Sequence, residues 1–187
     1  MNFDKKSVRE SAKARRLAMS RSEVIEKSYA ISLSILESDF YKKARSVMLY
    51  MPIGNEVSTS LIKADAEENK KRLYYPVTSE NTKEIKAYRV KEKTEFKKGG
   101  FSIPEPKNAK LASSEEIDLI IVPGVAFSKN GARVGFGKGC YDRFLKNMKA
   151  TKVGICYELQ IFDGIQEDEN DIRVDYVVTE NGVIKCK

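Results

Sequence analysis

The sequence predicts an α/β protein formed as one domain over residues 1–187, with a mostly parallel central sheet and helices on both faces. The first observation is that short apolar segments alternate with amphipathic segments along most of the chain. The second is that Pro and Gly residues bound several of the apolar segments. The third is the composition, 187 residues with 41% hydrophobic and 33% charged residues, which suits one core with a well-solvated surface. Such sheets bind ligands at the carboxyl ends of their strands.

Two helices are predicted at the amino terminus, the first over residues 5 to about 19 and the second over about 24–37. Ser20 and Glu23 have the spacing of a capping box in front of the second helix. Apolar residues recur along that helix at helical spacing, so one of its faces is expected to pack against the core.

A strand–helix–strand unit follows. A short apolar run at residues 47–51 precedes a helical stretch over about 58–71 and a second strand over 73–77. Further strands are predicted at 85–90, 119–122, 153–157 and 176–179, with a short last strand at 183–185 and a helix over about 141–148. Residues 99–106, which contain two Gly and two Pro, predict an irregular crossing segment.

The chain contains no histidine, and this excludes several classes of catalytic site. Ser-His-Asp triads, H-E-x-x-H zinc sites and histidine proton shuttles all require that side chain. The available groups are carboxylates, Lys, Arg, Tyr, backbone amides and an oxygen-bound cation such as Mg²⁺.

Cysteine spacing and hydropathy predict a reduced, cytoplasmic protein. Cys140, Cys156 and Cys186 lie far apart and form no C-x-x-C pair of the kind found in zinc or redox sites. No apolar run approaches the length that a membrane helix needs.

The strongest local motif is a glycine-rich segment between a buried strand and a helix. Gly135, Gly137 and Gly139 alternate with other residues, which lets backbone amides approach a phosphate closely. The segment leads into a helix amino terminus, and Arg133, Lys138 and Arg143 add positive charge. Asp142 beside it offers an oxygen ligand for nucleotide-bound Mg²⁺. A flexible glycine turn with solvated basic residues is the alternative.

The residues around this motif resemble a known enzyme family. The string PGVAFSKNGARVGFGKGCYDRFL resembles the phosphate-binding signature of 5-formyltetrahydrofolate cyclo-ligases. The segments KKSVRESAKARRLAMS, YMPIGNEVST, FSIPEP, VGICYELQ and RVDYVVTENGVI are similar to other parts of that family in the same order. The resemblance covers nearly the whole chain and implies ATP- and Mg²⁺-dependent closure of 5-formyltetrahydrofolate to 5,10-methenyltetrahydrofolate.

The resemblance also implies residue roles. The implied ATP contacts are Lys5, Lys6, Ser7, Val8, Arg9, Arg133, Val134, Gly135, Phe136, Gly137, Lys138, Gly139, Cys140 and Tyr141. The implied catalytic residues are Arg133, Lys138 and Asp142, the implied folate contacts are Glu56, Phe101 and Tyr141, and the implied Mg²⁺ ligands are Asp142 and Asp175. Gln160 matches a position preferred in the family and is assigned no role.

Two positions depart from the family pattern. Cys140 stands where the family usually has the first Tyr of a Tyr-Tyr-Asp run, and Phe101 stands where Trp is frequent. Separately, the acidic run at residues 167–171 lacks the spacing of a calcium-binding loop and predicts a solvated surface loop.

Two other functions stay open from the residues alone. The formal net charge of +7 and the excess of basic residues in the first 21 positions are also typical of a nucleic-acid-binding module. A related α/β enzyme acting on a phosphorylated sugar or a CoA ester is the second. We expect a monomer that binds small-molecule substrates and neither nucleic acid nor membrane.

Overall fold

An eight-stranded mixed sheet forms the centre of the fold in the computed structural model, which describes residues 3–100 and 103–186. The helices are α1 (Lys5–Leu17), α2 (Arg21–Glu37), α3 (Asp39–Lys43), α4 (Ser60–Glu68) and α5 (Cys140–Leu145). The strands are β1 (Ser46–Met48), β2 (Arg72–Thr78), β3 (Ile85–Val90), β4 (Phe96–Lys98), β5 (Pro104–Pro106), β6 (Lys110–Leu111), β7 (Leu119–Val122), β8 (Ala126–Phe127), β9 (Arg133–Val134), β10 (Thr151–Ile155), β11 (Tyr176–Thr179) and β12 (Gly182–Lys185).

The strand order of the large sheet is β12-β11-β10-β7-β1-β2-β3-β6. The five central strands, from β11 to β2, are parallel to one another. The flanking strands β12, β3 and β6 pair antiparallel. The predicted α/β class with a parallel centre is confirmed, and antiparallel strands complete both edges of the sheet.

Helices cover both faces of the sheet, as the sequence predicts. On one face α2 and α4 pack against it through fully buried side chains such as Ile31, Ile35 and Ile62. On the other face Leu145 of α5 and the following Met148 join a second core cluster. The first helix belongs to neither cluster: Val8 and Ala12 of α1 pack instead on the β8–β9 hairpin and Ile165.

Some local elements match the prediction and others differ from it. The capping box at Ser20 and Glu23 is present, and α4 connects the parallel strands β1 and β2 as predicted. The short helix α3 was not predicted, and the Gly- and Pro-containing segment forms the small β4–β5 hairpin instead of irregular chain. Helix α5 ends at Leu145, three residues before the predicted end.

Within the described ranges, no helix combines the length and the apolar character required to span a bilayer.

Candidate active site

A cleft of about 670 Å³ opens where the parallel strands end. Tyr50 and Met51 follow β1, Pro123 and Gly124 follow β7, and Thr78 closes β2, so the carboxyl ends of three strands line it. The volume lies within the usual range for small-molecule sites. Its position agrees with the expectation for a sheet of this topology.

The glycine-rich segment forms one wall of the cleft, and each of its alternating glycines faces a guanidinium group. A Cβ atom at Gly135 would lie 2.7 Å from Nη1 of Arg133, and one at Gly139 would lie 2.9 Å from Nη1 of Arg143. A Cβ atom at Gly137, whose φ is +91°, would lie 3.5 Å from Nη2 of Arg9. A side chain at Gly135 or Gly139 would displace the neighbouring guanidinium group, and one at Gly137 would be strained by the positive φ, so the glycines keep this wall open and positive.

Arg133 is the most enclosed cation of the cleft. Its side chain is 5% exposed, its Nη2 donates to Oδ1 of Asp142 at 2.8 Å, and its guanidinium lies 5.5 Å from the centre of the Tyr141 ring. Its buried Nε–H has no hydrogen-bond partner among the described residues. A buried donor without a partner is costly, so this group needs an acceptor that the described part of the protein does not supply.

Two basic residues of α1 reach the same wall. Nε of Arg9 donates to the carbonyl of Gly135 at 2.8 Å, and Lys5 forms ion pairs with Asp168, at 2.6 Å, and with Asp171. Burial opposes the charge on Lys5, but these hydrogen bonds outweigh it and raise its pKa.

The neighbouring predicted contacts do not line the cleft. Lys6 is exposed and Ser7 bonds Asp4 at the helix start, whereas Val8 is buried in the α1 core cluster together with Val134. Only side chains one helical turn apart share a face, so Lys5 and Arg9 point to the cleft and the residues between them do not.

A second part of the cleft lining carries fewer charged side chains than the glycine-rich wall. Glu56 is 7% exposed, its Oε2 accepts from the backbone N–H of Ile53 at 3.0 Å, and its Oε1 lies 3.7 Å from Nη1 of Arg16. Burial raises the pKa of the Glu56 carboxyl, an effect that the Ile53 hydrogen bond and the Arg16 charge partly offset. Tyr50 and Tyr141 complete this part, and burial raises the pKa of both hydroxyls.

The acidic run at residues 167–171 is not simply a solvated loop, so that prediction is wrong in part. Asp168 and Asp171 line the cleft, and both accept from Lys5, 163 and 166 residues away. The Asp171 side chain is only 17% exposed. Sequence reasoning missed these two residues because an acidic surface loop has the same local pattern.

The two predicted metal ligands do not come together. Asp142 lines the cleft, where Oδ1 accepts from Arg133 and, at 3.5 Å, from Ile172 N. Asp175 is exposed and accepts from the backbone N–H of Lys152 at 2.7 Å. It immediately precedes β11 and pairs with Lys152 of the parallel β10, so it lies towards the amino end of the sheet rather than in the cleft.

Some of the remaining predicted residues line the cleft, and others do not. Phe136, Lys138 and Cys140 line the cleft, and Phe101 lies outside the described residues. Gln160 is buried and does not line the cleft. Its Nε2 donates to Val125 O at 2.8 Å, so it supports the segment that follows β7.

The residues present suit a polyphosphate with a divalent cation at the glycine-rich end. The cations and the unpartnered Arg133 Nε–H suit phosphate oxygens. No cluster of three or more Asp, Glu or Cys suited to a metal occurs in the described part of the chain. A nucleotide-bound Mg²⁺ needs only one or two carboxylates because phosphates and water supply its other ligands. Asp142 satisfies that requirement.

Comparison with known proteins identifies the family. The model of the 5-formyltetrahydrofolate cyclo-ligase family matches residues 2–180. The NMR structure of an Aquifex aeolicus 5,10-methenyltetrahydrofolate synthetase is 36% identical, with a TM-score of 0.87 over 98% of this chain and 93% of that chain. A 5,10-methenyltetrahydrofolate synthetase from Mycoplasma pneumoniae is 26% identical, with a TM-score of 0.77 over 95% and 99% of the two chains. The mouse 5-formyltetrahydrofolate cyclo-ligase is 26% identical over 97% of this chain and 96% of its own. Because the family model matches residues 2–180 and a synthetase structure aligns over 98% of the chain, this protein belongs to the 5-formyltetrahydrofolate cyclo-ligase family.

Proposed function

We propose that the protein uses MgATP to convert 5-formyltetrahydrofolate to 5,10-methenyltetrahydrofolate, with release of ADP and phosphate. The observation that carries this proposal is the chemical division of one cleft. One part of its lining presents Arg133, Arg9 and Lys5 to an anion, and another part presents Glu56 and Tyr50. A ligase that phosphorylates an uncharged formyl group needs both environments within reach of each other.

The reaction proceeds in two steps. The N5-formyl oxygen attacks the γ-phosphoryl group of ATP, the bond to ADP breaks, and an imidoyl-phosphate-like ester forms. N10 then attacks the former formyl carbon and loses its proton, and phosphate leaves as the five-membered ring closes. An amide-like oxygen is a poor leaving group, and phosphorylation makes its departure feasible.

The residues of the chain act by position and charge. Arg133 and Lys138 are assigned to the phosphoryl oxygens, and Lys5 and Arg9 to the rest of the triphosphate. Asp142 would hold Mg²⁺, which neutralises charge developing on the transferred group. Glu56 and Tyr141 are assigned to the pterin, together with Phe101 by resemblance. Phosphoryl transfer of this kind requires no histidine.

The basic first helix supports the enzyme over the nucleic-acid-binding alternative. Its residues Lys5, Arg9 and Arg16 are directed towards the protein itself, where they contact carboxylates or a backbone carbonyl. Cations used in this way are not presented to a duplex as a continuous basic face.

The direct experiment follows the absorbance of methenyltetrahydrofolate while 5-formyltetrahydrofolate, ATP and Mg²⁺ are each omitted in turn. We expect product only with all three and equal amounts of ADP and methenyltetrahydrofolate. ATP-independent product, or hydrolysis of ATP without ring closure, would refute the proposed reaction. Salt-dependent binding to DNA or RNA without turnover would support the alternative module.

Cysteine labelling offers a prediction about the nucleotide end. Cys140 lines the cleft beside the last glycine, whereas Cys156 is buried. Burial raises the pKa of the Cys156 thiol and raises that of Cys186 to about 11, so both react slowly with iodoacetamide. We expect the fastest labelling at Cys140 and expect MgATP to reduce it. Peptide mapping by mass spectrometry with and without MgATP measures both effects.

The control is Cys140→Ser, which should remain active because no step needs a thiol. The Cys186 signal should be the same with and without MgATP. Unchanged labelling of Cys140 at saturating MgATP would contradict the assignment of this wall to ATP.

A further inference from the structure

Helix α1 places three basic residues of one face on three different segments of the cleft. Lys5 contacts the acidic segment at 168–171, Arg9 contacts the glycine-rich wall, and Arg16 contacts Glu56. Residues 9 and 16 are two turns apart, or about 10 Å along the axis. The first two belong to the end assigned to ATP, whereas Arg16 lies behind the end assigned to folate.

The contact of Arg16 with Glu56 is enclosed. The Arg16 side chain is 11% exposed and that of Glu56 is 7% exposed, with Nη1 and Oε1 separated by 3.7 Å. Arg16 does not line the cleft, whereas Glu56 does. Among the side chains that line the cleft, Arg16 forms its ion pair with Glu56.

A second contact links the segment that contains Glu56 to the end of helix α1. Nδ2 of Asn55 donates to the carbonyl of Arg16 at 3.3 Å and approaches that of Met19 at 3.5 Å. The N–H of Ile53 donates to Oε2 of Glu56. The carboxylate is therefore held at both oxygens, one by its own loop and one by the helix.

The titratable groups around Glu56 have distinct roles. Arg16 on α1 supplies a positive charge, while Tyr141 approaches from α5, and Tyr50 and Tyr157 approach from the segments that follow β1 and β10. Burial raises the pKa of all three tyrosines, so they stay neutral near neutral pH. Only Glu56 in this group changes charge in the acidic to neutral range.

We propose that Arg16 is a positioning residue that keeps Glu56 oriented and ionised for the N–H groups of the reduced pterin. This inference rests on the proposed function. A carboxylate accepts hydrogen bonds at both oxygens, whereas the protonated acid becomes a donor at one of them. Holding the ionised form therefore fixes which hydrogen-bonding edge of the heterocycle the cleft recognises.

The pH dependence follows from the directions of the shifts. Burial already raises the pKa of Glu56, and removing the Arg16 charge raises it further. The ionised form then appears only at higher pH. The acidic limb of the pH profile of kcat/KM for folate should move upwards by about one pH unit, and ATP affinity should not change.

The test compares Arg16→Gln, Arg16→Lys and Arg15→Gln. Arg15 is next to Arg16 on the helix and contacts Phe162 and the carbonyl of Leu159, so its variant removes the same charge without touching Glu56. On the acidic limb, at a pH below the midpoints of both proteins, we expect Arg16→Gln to raise the KM for folate about tenfold, the equivalent of one pKa unit. Arg16→Lys should recover most of the loss, and Arg15→Gln should behave as wild type.

A readout independent of activity is the ¹³C titration of the Glu56 carboxyl, assigned with Glu56→Gln. Its midpoint should move upwards in Arg16→Gln and stay near the wild-type value in Arg16→Lys and Arg15→Gln. An identical midpoint and pH profile in Arg16→Gln and Arg15→Gln would overturn the inference, as would equal losses for folate and ATP. If the wild type forms no methenyltetrahydrofolate, the proposed reaction fails, while the carboxyl titration still tests the contact between Arg16 and Glu56.

Discussion

Replacing Asp142 with Asn is expected to leave the protein folded and to lower its turnover by about two to three orders of magnitude, the usual loss when a positioned charge is removed from a transition state. Asparagine keeps the shape of the side chain and an acceptor for the Arg133 guanidinium. It loses the charge that makes the carboxylate a ligand for Mg²⁺. ATP alone should still bind, because Arg133, Arg9 and Lys5 remain.

Steady-state kinetics across a Mg²⁺ titration measure this loss, and thermal unfolding checks the fold. The matched comparison is Asp175→Asn, which makes the same change at an exposed carboxylate outside the cleft. We expect nearly full turnover from that variant. Wild-type activity in Asp142→Asn would remove Asp142 from the mechanism, and a large loss in Asp175→Asn would restore the metal pair implied by the family resemblance.

Replacing Arg133 with Ala is expected to weaken ATP binding by about 1.5 to 3 kcal/mol, the usual worth of a charge-assisted hydrogen bond. The guanidinium is 5% exposed, lies 2.8 Å from Asp142, and carries the unpartnered Nε–H. Its removal also leaves Asp142 without its ion-pair partner, so the free energy of unfolding should fall as well. Arg9→Ala should weaken ATP binding in the same direction, since Arg9 faces the same wall.

Calorimetric titration with ATP separates binding from turnover. The matched control is Arg173→Ala, which removes an arginine from a surface ion pair with Glu167 where the arginine is 49% exposed. The pair lies outside the cleft, so ATP binding should not change, and because the pair is bidentate but half exposed the free energy of unfolding should fall by no more than about 1 kcal/mol. A rise in the KM for folate alone would contradict the assignment of Arg133 to the nucleotide.

The parts of the fold that depend on local pattern could be predicted. The strands Ile85–Val90, Leu119–Val122 and Tyr176–Thr179 match their predicted limits because alternation or a continuous apolar run marks each of them. The unit from β1 to β2 follows from the same reasoning. The glycine-rich wall was also predictable, since alternating glycines among basic residues carry their own signal.

The parts of the fold and of the site that depend on contacts between distant residues could not be predicted from the sequence. Asp168 and Asp171 join the cleft through Lys5, and nothing near them in the sequence indicates that partner. The β4–β5 hairpin includes Pro104 and Pro106, which usually argue against a strand and are tolerated at a sheet edge. The exclusion of Asp175 from the cleft depends on which end of β11 it occupies within the assembled sheet.

The role of Arg16 could not be derived from the sequence either. The first helix is basic over most of its length, and the sequence does not distinguish its basic residues, because each acquires its partner only in the folded protein. Arg15 and Arg16 are adjacent, yet one contacts the ring of Phe162 and the other contacts Glu56. Helical periodicity gives the angle between them, but not which one contacts Glu56.

The attachment of α1 has a consequence for protein synthesis. The helix packs on the β8–β9 hairpin and Ile165, and its Lys5 pairs with residues 168 and 171. Helix α1 therefore completes its contacts only after residues 165–171 have been translated. Until then Lys5 lacks its carboxylate partners, and the core cluster around Val8 and Ala12 lacks Ile165. The part of the cleft lined by Lys5, Asp168 and Asp171 is therefore completed late in synthesis.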